Sequence, residues 1–220
     1  MAELISGLTA ARVRANLDEV RERICAAAAR AGRERRPVEL VVAGKYVAAE
    51  DLAVLAEAGI ATIGENRVQD LQAKIESYGD TFTWDFIGHL QSRKVKLVAP
   101  LVRMIHSVGS ESVLEQLGRH APPSLRVLIE VNVAAEEGKS GIAPGELDAY
   151  LERCPVPVAG LMTMPPLAGR PDDSRRWFAA LRELAERHEL GALSMGTTQD
   201  YEVAVEEGAT HVRIGTSLFR

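Results

Sequence analysis

The sequence predicts a single α/β domain folded as a (β/α)8 TIM barrel, preceded by an extra N-terminal helix. Three observations carry that expectation. From about residue 38 onward, short Val/Ile/Leu-rich runs alternate with amphipathic stretches, giving about eight strands with seven helices between them; this is the order that builds a parallel sheet. No Pro/Gly/Ser-rich linker or shift of composition interrupts the alternation, so residues 1–220 read as one domain. The first strand is followed by neither a GxGxxG turn nor a Walker A loop, which would favour an open doubly wound sheet.

The elements follow in order. Leu8–Ala31 is the leading helix: Val13, Leu17, Val20 and Ile24 recur at helical spacing among Arg, Glu and Asp, and Gly32 is its stop. Arg33-Glu34-Arg35-Arg36 reads as a solvated helix end before Pro37. Val38–Ala43 is a buried first strand, followed by a helix over Ala49–Ala58. Strand Ala61–Ile63 leads to helix Arg67–Ser77, and strand Thr83–Ile87 to helix Ser92–Ala99. Strand Met104–Ser107 precedes helix Glu111–Arg119, and strand Arg126–Val131 precedes helix Gly145–Arg153. Val156–Leu161 with helix Asp173–His188, Ala192–Ser194 with helix Asp200–Glu207, and a last strand His211–Ile214 complete the alternation.

Composition narrows the function. A net charge of −5, with no basic stripe interleaved with aromatics, argues against nucleic acid as the main ligand. No apolar run is long enough to span a bilayer, and the N-terminus has no signal-type apolar region. Cys25 and Cys154 lie far apart without metal spacing and read as buried or half-buried free thiols, which suits the cytoplasm. His106 and His120 are isolated, so no metal site is expected.

In a barrel, chemistry collects where strands end. Strand one ends at Gly44-Lys45; the others end at Gly64-Glu65-Asn66, Gly88-His89-Leu90-Gln91-Ser92, Asn132, Met162-Thr163-Met164, Ser194-Met195-Gly196-Thr197-Thr198 and Arg213-Ile214-Gly215-Thr216. A strand-end lysine alone is ordinarily a surface group, but a partly desolvated one can attack a carbonyl to form a Schiff base. Gly196-Thr197-Thr198 and Gly215-Thr216 follow strands seven and eight, the usual phosphate site of barrel enzymes, with the helix after Gln199 offering its N-terminus. Two tight turns that need glycine are the plainer reading. A Schiff-base lysine beside a phosphate site suggests a phosphosugar or pyridoxal 5′-phosphate (PLP). Arg213 separates them: a cation at the end of strand eight can face a pyridine nitrogen and leave it largely unprotonated, a poor electron sink. Its alternative use is an ion pair with Glu65 or Glu130. Tyr46 is discounted, because in an extended strand it would point away from Lys45.

The motifs Gly64-Glu65-Asn66-Arg67-Val68-Gln69, Trp84-Asp85-Phe86-Ile87-Gly88-His89-Leu90-Gln91-Ser92, Lys139-Ser140-Gly141, Gly160-Leu161-Met162-Thr163-Met164, Ser194-Met195-Gly196 and Val212-Arg213-Ile214-Gly215-Thr216 stand in one order along the chain. In this the sequence resembles the pyridoxal phosphate homeostasis proteins, related to the N-terminal barrel of alanine racemase. The resemblance covers about the whole chain from Val38 on. It implies PLP held as an aldimine on Lys45, with phosphate contacts from Ser194, Met195, Gly196, Thr198, Gly215 and Thr216. It also implies a ring-nitrogen contact from Arg213, and Asn66 and Met162 close by. Glu65, His89 and Gln91 match motif positions without assigned roles. Gly44, Ala48, Arg93 and Thr197-Thr198 depart from the family pattern, which usually has Ser, Pro, Asn and Met-Ser there. The resemblance implies a carrier that supplies PLP to apo-enzymes by transient contact; composition adds a cytoplasmic location with no membrane or nucleic-acid partner, and the lack of a long coiled-coil face points to a monomer. The chain ends where the second domain of a racemase would begin, which also favours a carrier over the alternative, a PLP-dependent racemase or other low-activity enzyme.

Overall fold

The computed structural model describes residues 4–34 and 37–220. Arg35 and Arg36 of the basic run lie outside the described residues. Eight strands, β1 (Glu39–Ala43), β2 (Thr62–Glu65), β3 (Thr83–Phe86), β4 (Met104–Val108), β5 (Arg126–Glu130), β6 (Val158–Met162), β7 (Ala192–Thr197) and β8 (His211–Ile214), close into a barrel in chain order. Every neighbouring pair is parallel, and β1 closes on β8 with Val41 opposite Arg213. The expected fold is the observed one.

The leading helix α1 (Ala10–Arg30) buries Val13, Leu17, Val20, Ile24, Ala27 and Ala28, the stripe its periodicity marks. Its Thr9 cap accepts from the Arg12 amide at 3.4 Å. The helix is tied to the end of the chain, since Asn16 Nδ2 donates to the carbonyls of Leu218 (3.1 Å) and Arg220 (2.8 Å). Cys25, one position past Ile24, falls on the solvent side and is exposed, contrary to expectation; Cys154 is half-buried.

The outer helices are α2 (Leu52–Glu57), α3 (Val68–Tyr78), α4 (Val95–Val98), α5 (Glu111–His120), α6 (Leu147–Arg153), α7 (Arg175–Arg187) and α8 (Tyr201–Glu206). Several are shorter than expected because their first turns wind as 3₁₀ (Ala49–Asp51, Ser92–Lys94, Pro144–Glu146). Strand residues facing these helices, among them Val42, Ile63, Phe86, Ile105, Ile129, Leu161, Met195 and Ile214, form the main core with them. Inside the barrel, Met104, Leu128 and Met162 make a small separate cluster. Much of the remaining interior is polar: Asp85, His106 and Ser194 are fully buried and Arg213 is nearly so. Among the described residues no helix is long and apolar enough to cross a membrane, and no cluster of His, Cys, Asp and Glu could hold a metal.

Candidate functional site

The strand-end residues gather at the C-terminal rim, as parallel closure requires. Lys45 does not continue β1. It sits in a 3₁₀ turn, Gly44–Tyr46, which puts its Nζ 4.9 Å from the centre of the Tyr46 ring. Tyr46 therefore belongs beside Lys45. The expectation that it points away fails because a 3₁₀ turn advances about 120° per residue, against about 180° in a strand. The Tyr46 ring lies over Gly215, where a Cβ would come within 2.7 and 2.9 Å of ring carbons. That contact is how the lysine turn meets the loop after β8.

A buried ion pair supports the turn from outside the barrel. Lys74 of α3 donates to the Gly44 carbonyl at 2.8 Å and pairs with Glu65 Oε1 of β2 at 2.5 Å. Both side chains are buried. Burial pushes the Glu65 carboxyl up, against the opposing pull of Lys74. Glu65 Oε2 and Asn66 Oδ1 are buried and find no hydrogen-bond partner among the described residues. Lys45, Asn66 and Lys74 border a cleft of about 580 Å³.

The loops after β7 and β8 are stitched together, since the Gly215 amide donates to Thr198 Oγ1 at 3.3 Å. Gly196 has φ of +90°, and a Cβ there would lie 2.5 Å from the Ala204 methyl and 2.9 Å from Tyr201 Cα. Glycine is required both by backbone and by space. β7 runs to Thr197, past the expected end at Ser194, with its register against β8 shifting between Ser194 and Thr197. The Asp200 carboxylate accepts from the Thr197 amide at 2.8 Å and stands at the entry of the six-residue α8, so it occupies the helix end expected to face an anion. Ser217 Oγ, one residue past Thr216, is buried and has no hydrogen-bond partner among the described residues.

Arg213 is the deepest charge at the rim. Its NH1 donates to Ser194 Oγ, and its NH2 donates to the Thr163 carbonyl (3.0 Å) and to Met164 Sδ (2.8 Å). Neither alternative ion pair forms: Glu65 is taken by Lys74, and Glu130 accepts from Ser140 Oγ at 2.6 Å. Burial lowers the Arg213 pKa to about 10, with Glu130 and Asp200 pulling the other way. The group remains a cation at neutral pH. Arg213, Met164, Thr197 and Asp200 border a second cleft, of about 470 Å³. Lys45 and Arg213 thus stand at the ends of paired strands but open on separate clefts, joined through Tyr46 and Gly215.

Other expected residues are less exposed to a ligand. Met195 packs in the main core and Met162 inside the barrel. The Ser194 hydroxyl is committed to His106 and Arg213, so its side chain serves the arginine. His89 and Gln91 are exposed, with Arg93 donating to Gln91 at 3.2 Å.

Sequence reading missed the residues behind Arg213. His106 Nδ1 lies 2.9 Å from Ser194 Oγ, and its Nε2 lies 3.3 Å from Asp85 Oδ2. Arg103 clamps both Asp85 oxygens at 3.1 and 2.7 Å and reaches Glu39 at 2.9 Å. Far from isolated, His106 is the centre of a buried polar chain. The available signal was strand position: Asp85, His106, Ser194 and Arg213 are each the third residue of their strand.

No family model matches the chain. A curated relative, the pyridoxal phosphate homeostasis protein of Aquifex aeolicus, is 42% identical over 217 residues, covering 92% of this chain and 95% of its own. The chain belongs to the pyridoxal phosphate homeostasis protein family. Among solved structures, PipY of Synechococcus elongatus PCC7942 with PLP bound superimposes with a TM-score of 0.79 at 28% identity, covering 94% of this chain and all of that one. Alanine racemase from Corynebacterium glutamicum shares the fold, with a TM-score of 0.69 at 15% identity, over 99% of this chain and 62% of its own. For this family member, the resemblance carried by the sequence motifs and the barrel they predict both stand.

Proposed function

We propose that this protein binds PLP at the C-terminal rim of the barrel and acts in PLP homeostasis, holding the cofactor and passing it to apo-enzymes instead of turning over a substrate. The observation that carries this reading is Arg213: a buried guanidinium whose hydrogen-bond partners are all neutral, one strand from Lys45. A buried cation with no carboxylate among its hydrogen-bond partners is costly, and an acceptor placed by a ligand offsets that cost. The rim fits the rest of the group. Gly196 and Gly215 let the two loops pack closely, Thr198 and Thr216 bring hydroxyls, and Ser217 and Asn66 offer buried polar atoms that lack partners among the described residues. The names of the family relatives and the PLP-bound PipY structure support the same ligand.

When bound, PLP supplies an aldehyde that a primary amine traps reversibly with loss of water. In this reading Lys45 provides the amine, carried on a turn braced by Lys74 and Tyr46. Arg213 donates to the ring nitrogen and stays protonated, which disfavours a proton on that nitrogen. The loops Ser194–Thr198 and Gly215–Thr216 would hold the phosphate through the Thr198 and Thr216 hydroxyls and those main-chain amides not already paired with Asp200 or Thr198, with Asn66 and the buried Met162 near the ring. We further propose a monomeric, cytoplasmic protein; size-exclusion chromatography with light scattering checks the first point.

The deciding experiment is a visible absorption spectrum of protein mixed with PLP, before and after borohydride, with peptide mapping. A band lost on reduction and a label on Lys45, absent in Lys45→Ala, is the expected result. A label elsewhere, or none, refutes the site. Conversion of L- or D-amino acids that disappears in Lys45→Ala would overturn the holding role in favour of an enzyme.

A further inference from the structure

The barrel interior below Arg213 holds a directed chain of hydrogen bonds, and its direction follows from the inventory of donors and acceptors. Arg213 can only donate, so Ser194 Oγ accepts from it. The Ser194 hydrogen must then go to another acceptor, and His106 Nδ1 lies 2.9 Å away. Nδ1 is therefore bare, and a neutral ring carries its proton on Nε2, which faces Asp85 Oδ2 at 3.3 Å. Asp85 accepts from Arg103 at both oxygens, and Arg103 is held in turn by Glu39, which accepts from Thr62 at 2.8 Å. Donation runs one way from Arg213 at the C-terminal rim through Ser194 and His106 to Asp85, where it ends on a carboxylate that Arg103 meets from the other side.

The surroundings of His106 on balance favour a neutral ring. Burial pushes its pKa down, Asp85 of β3 pulls the other way, and the Arg213 cation of β8 adds to the downward push; the His211 ring meets it edge-on at 5.8 Å. A second proton, on Nδ1, would point at the Ser194 hydroxyl and leave the Ser194 hydrogen without an acceptor. Apolar residues ordinarily fill barrel interiors and cost less to bury. A four-strand polar chain ending on a ligand-facing cation needs a further reason.

Resting on the PLP reading above, we propose that His106 is a positioning residue for the ring-nitrogen contact. It fixes the Ser194 hydroxyl as a donor, and the Ser194 oxygen in turn fixes the Arg213 guanidinium against the ring nitrogen. His106 touches no ligand; it acts through two intervening side chains. Ser194 is then the adaptor of the chain and takes no part in phosphate binding through its side chain.

Two measurements test this. The first needs no substitution and no ligand: side-chain ¹⁵N NMR of histidine-labelled protein. The expected spectrum has one histidine with protonated Nε2 and bare Nδ1 throughout the neutral range. A protonated Nδ1 or an imidazolium at His106, assigned by its loss in His106→Leu or by through-bond correlation, overturns the proposal. The second compares affinities for PLP and for its analogue with CH in place of the ring nitrogen. Ser194→Ala and His106→Leu are each expected to lose about tenfold in PLP affinity, the value of one hydrogen bond to a charged group. The double variant should lose about tenfold too, because both changes cut one chain. Analogue affinity should be unmoved by any of them. Losses that multiply, or that fall equally on the analogue, mark a merely structural role and refute the proposal. Wild-type protein that takes up neither ligand sinks the binding reading, while the tautomer still judges His106 separately.

Discussion

Removing Lys74 tests the support beneath the lysine turn. In Lys74→Met the Glu65 carboxylate loses its salt-bridge partner while remaining fully buried, and the Gly44 carbonyl loses a donor. Breaking a buried pair from one side costs about 3–5 kcal/mol. For a chain of this size that is a fall of roughly 6–20 °C in thermal midpoint. The loss must depend on pH, and its sign is fixed. Burial already raises the Glu65 carboxyl above its usual range, and without Lys74 it rises further. The folded state then binds a proton that the unfolded chain, with a carboxylate pKa of about 4.3, has released. Stability is therefore retained at low pH and lost as pH rises, by up to about 1.4 kcal/mol per pH unit until the folded-state pKa is passed. Scanning calorimetry between pH 5 and pH 8 should show the variant falling further below wild type as pH increases. Lys74→Met combined with Glu65→Leu should recover most of the stability, since no buried charge is left. A midpoint unchanged at pH 8, or a loss of equal size at pH 5, refutes the account of this pair.

Three further outcomes follow from the same structure. Gly196→Ala forces a Cβ onto Ala204 and Tyr201 at positive φ, and should cost about 1–3 kcal/mol by urea unfolding; an unchanged midpoint contradicts the close approach. Arg213→Met should weaken PLP binding by at least about tenfold. It should leave the ligand-free thermal midpoint equal or higher, because a buried cation with neutral partners is removed, and a large fall in stability would show that its contacts outweigh its burial. His211, Arg103 and Thr62 hold the Glu39 carboxyl well below its ordinary range despite burial. Its contribution is present above about pH 4.3 and lost as pH falls. The midpoint of Glu39→Gln should thus drop less than wild type between pH 5 and pH 3, and parallel curves would count against it.

How much the chain discloses by itself varies with the range of the interaction. The eight strands are legible because each is a short apolar run bounded by turn residues, and the α1 stripe because helical spacing forces Val13, Leu17, Val20 and Ile24 onto one face. Lys45, Arg213 and the two glycine-threonine loops are legible because a parallel barrel puts every strand end on one rim. Local backbone detail is less so. The 3₁₀ turn at Gly44–Tyr46 brings Tyr46 to Lys45, and β7 runs to Thr197, beyond its apparent end.

The sequence alone therefore determines the barrel, its rim and the family, since these depend on periodicity and on motifs in fixed order. Only the tertiary structure decides which polar groups are partners. Lys74 finds Glu65 because α3 packs across β2, and His106 finds Asp85 and Ser194 because closure of the barrel brings β3, β4 and β7 around one interior. Such pairings depend on side chains from strands far apart in the chain pointing inward at the same level, which no local pattern records. The identity of Arg213's partners belongs to that second class: its position is written in the sequence, but its neutral hydrogen-bond partners come together only when the sheet closes.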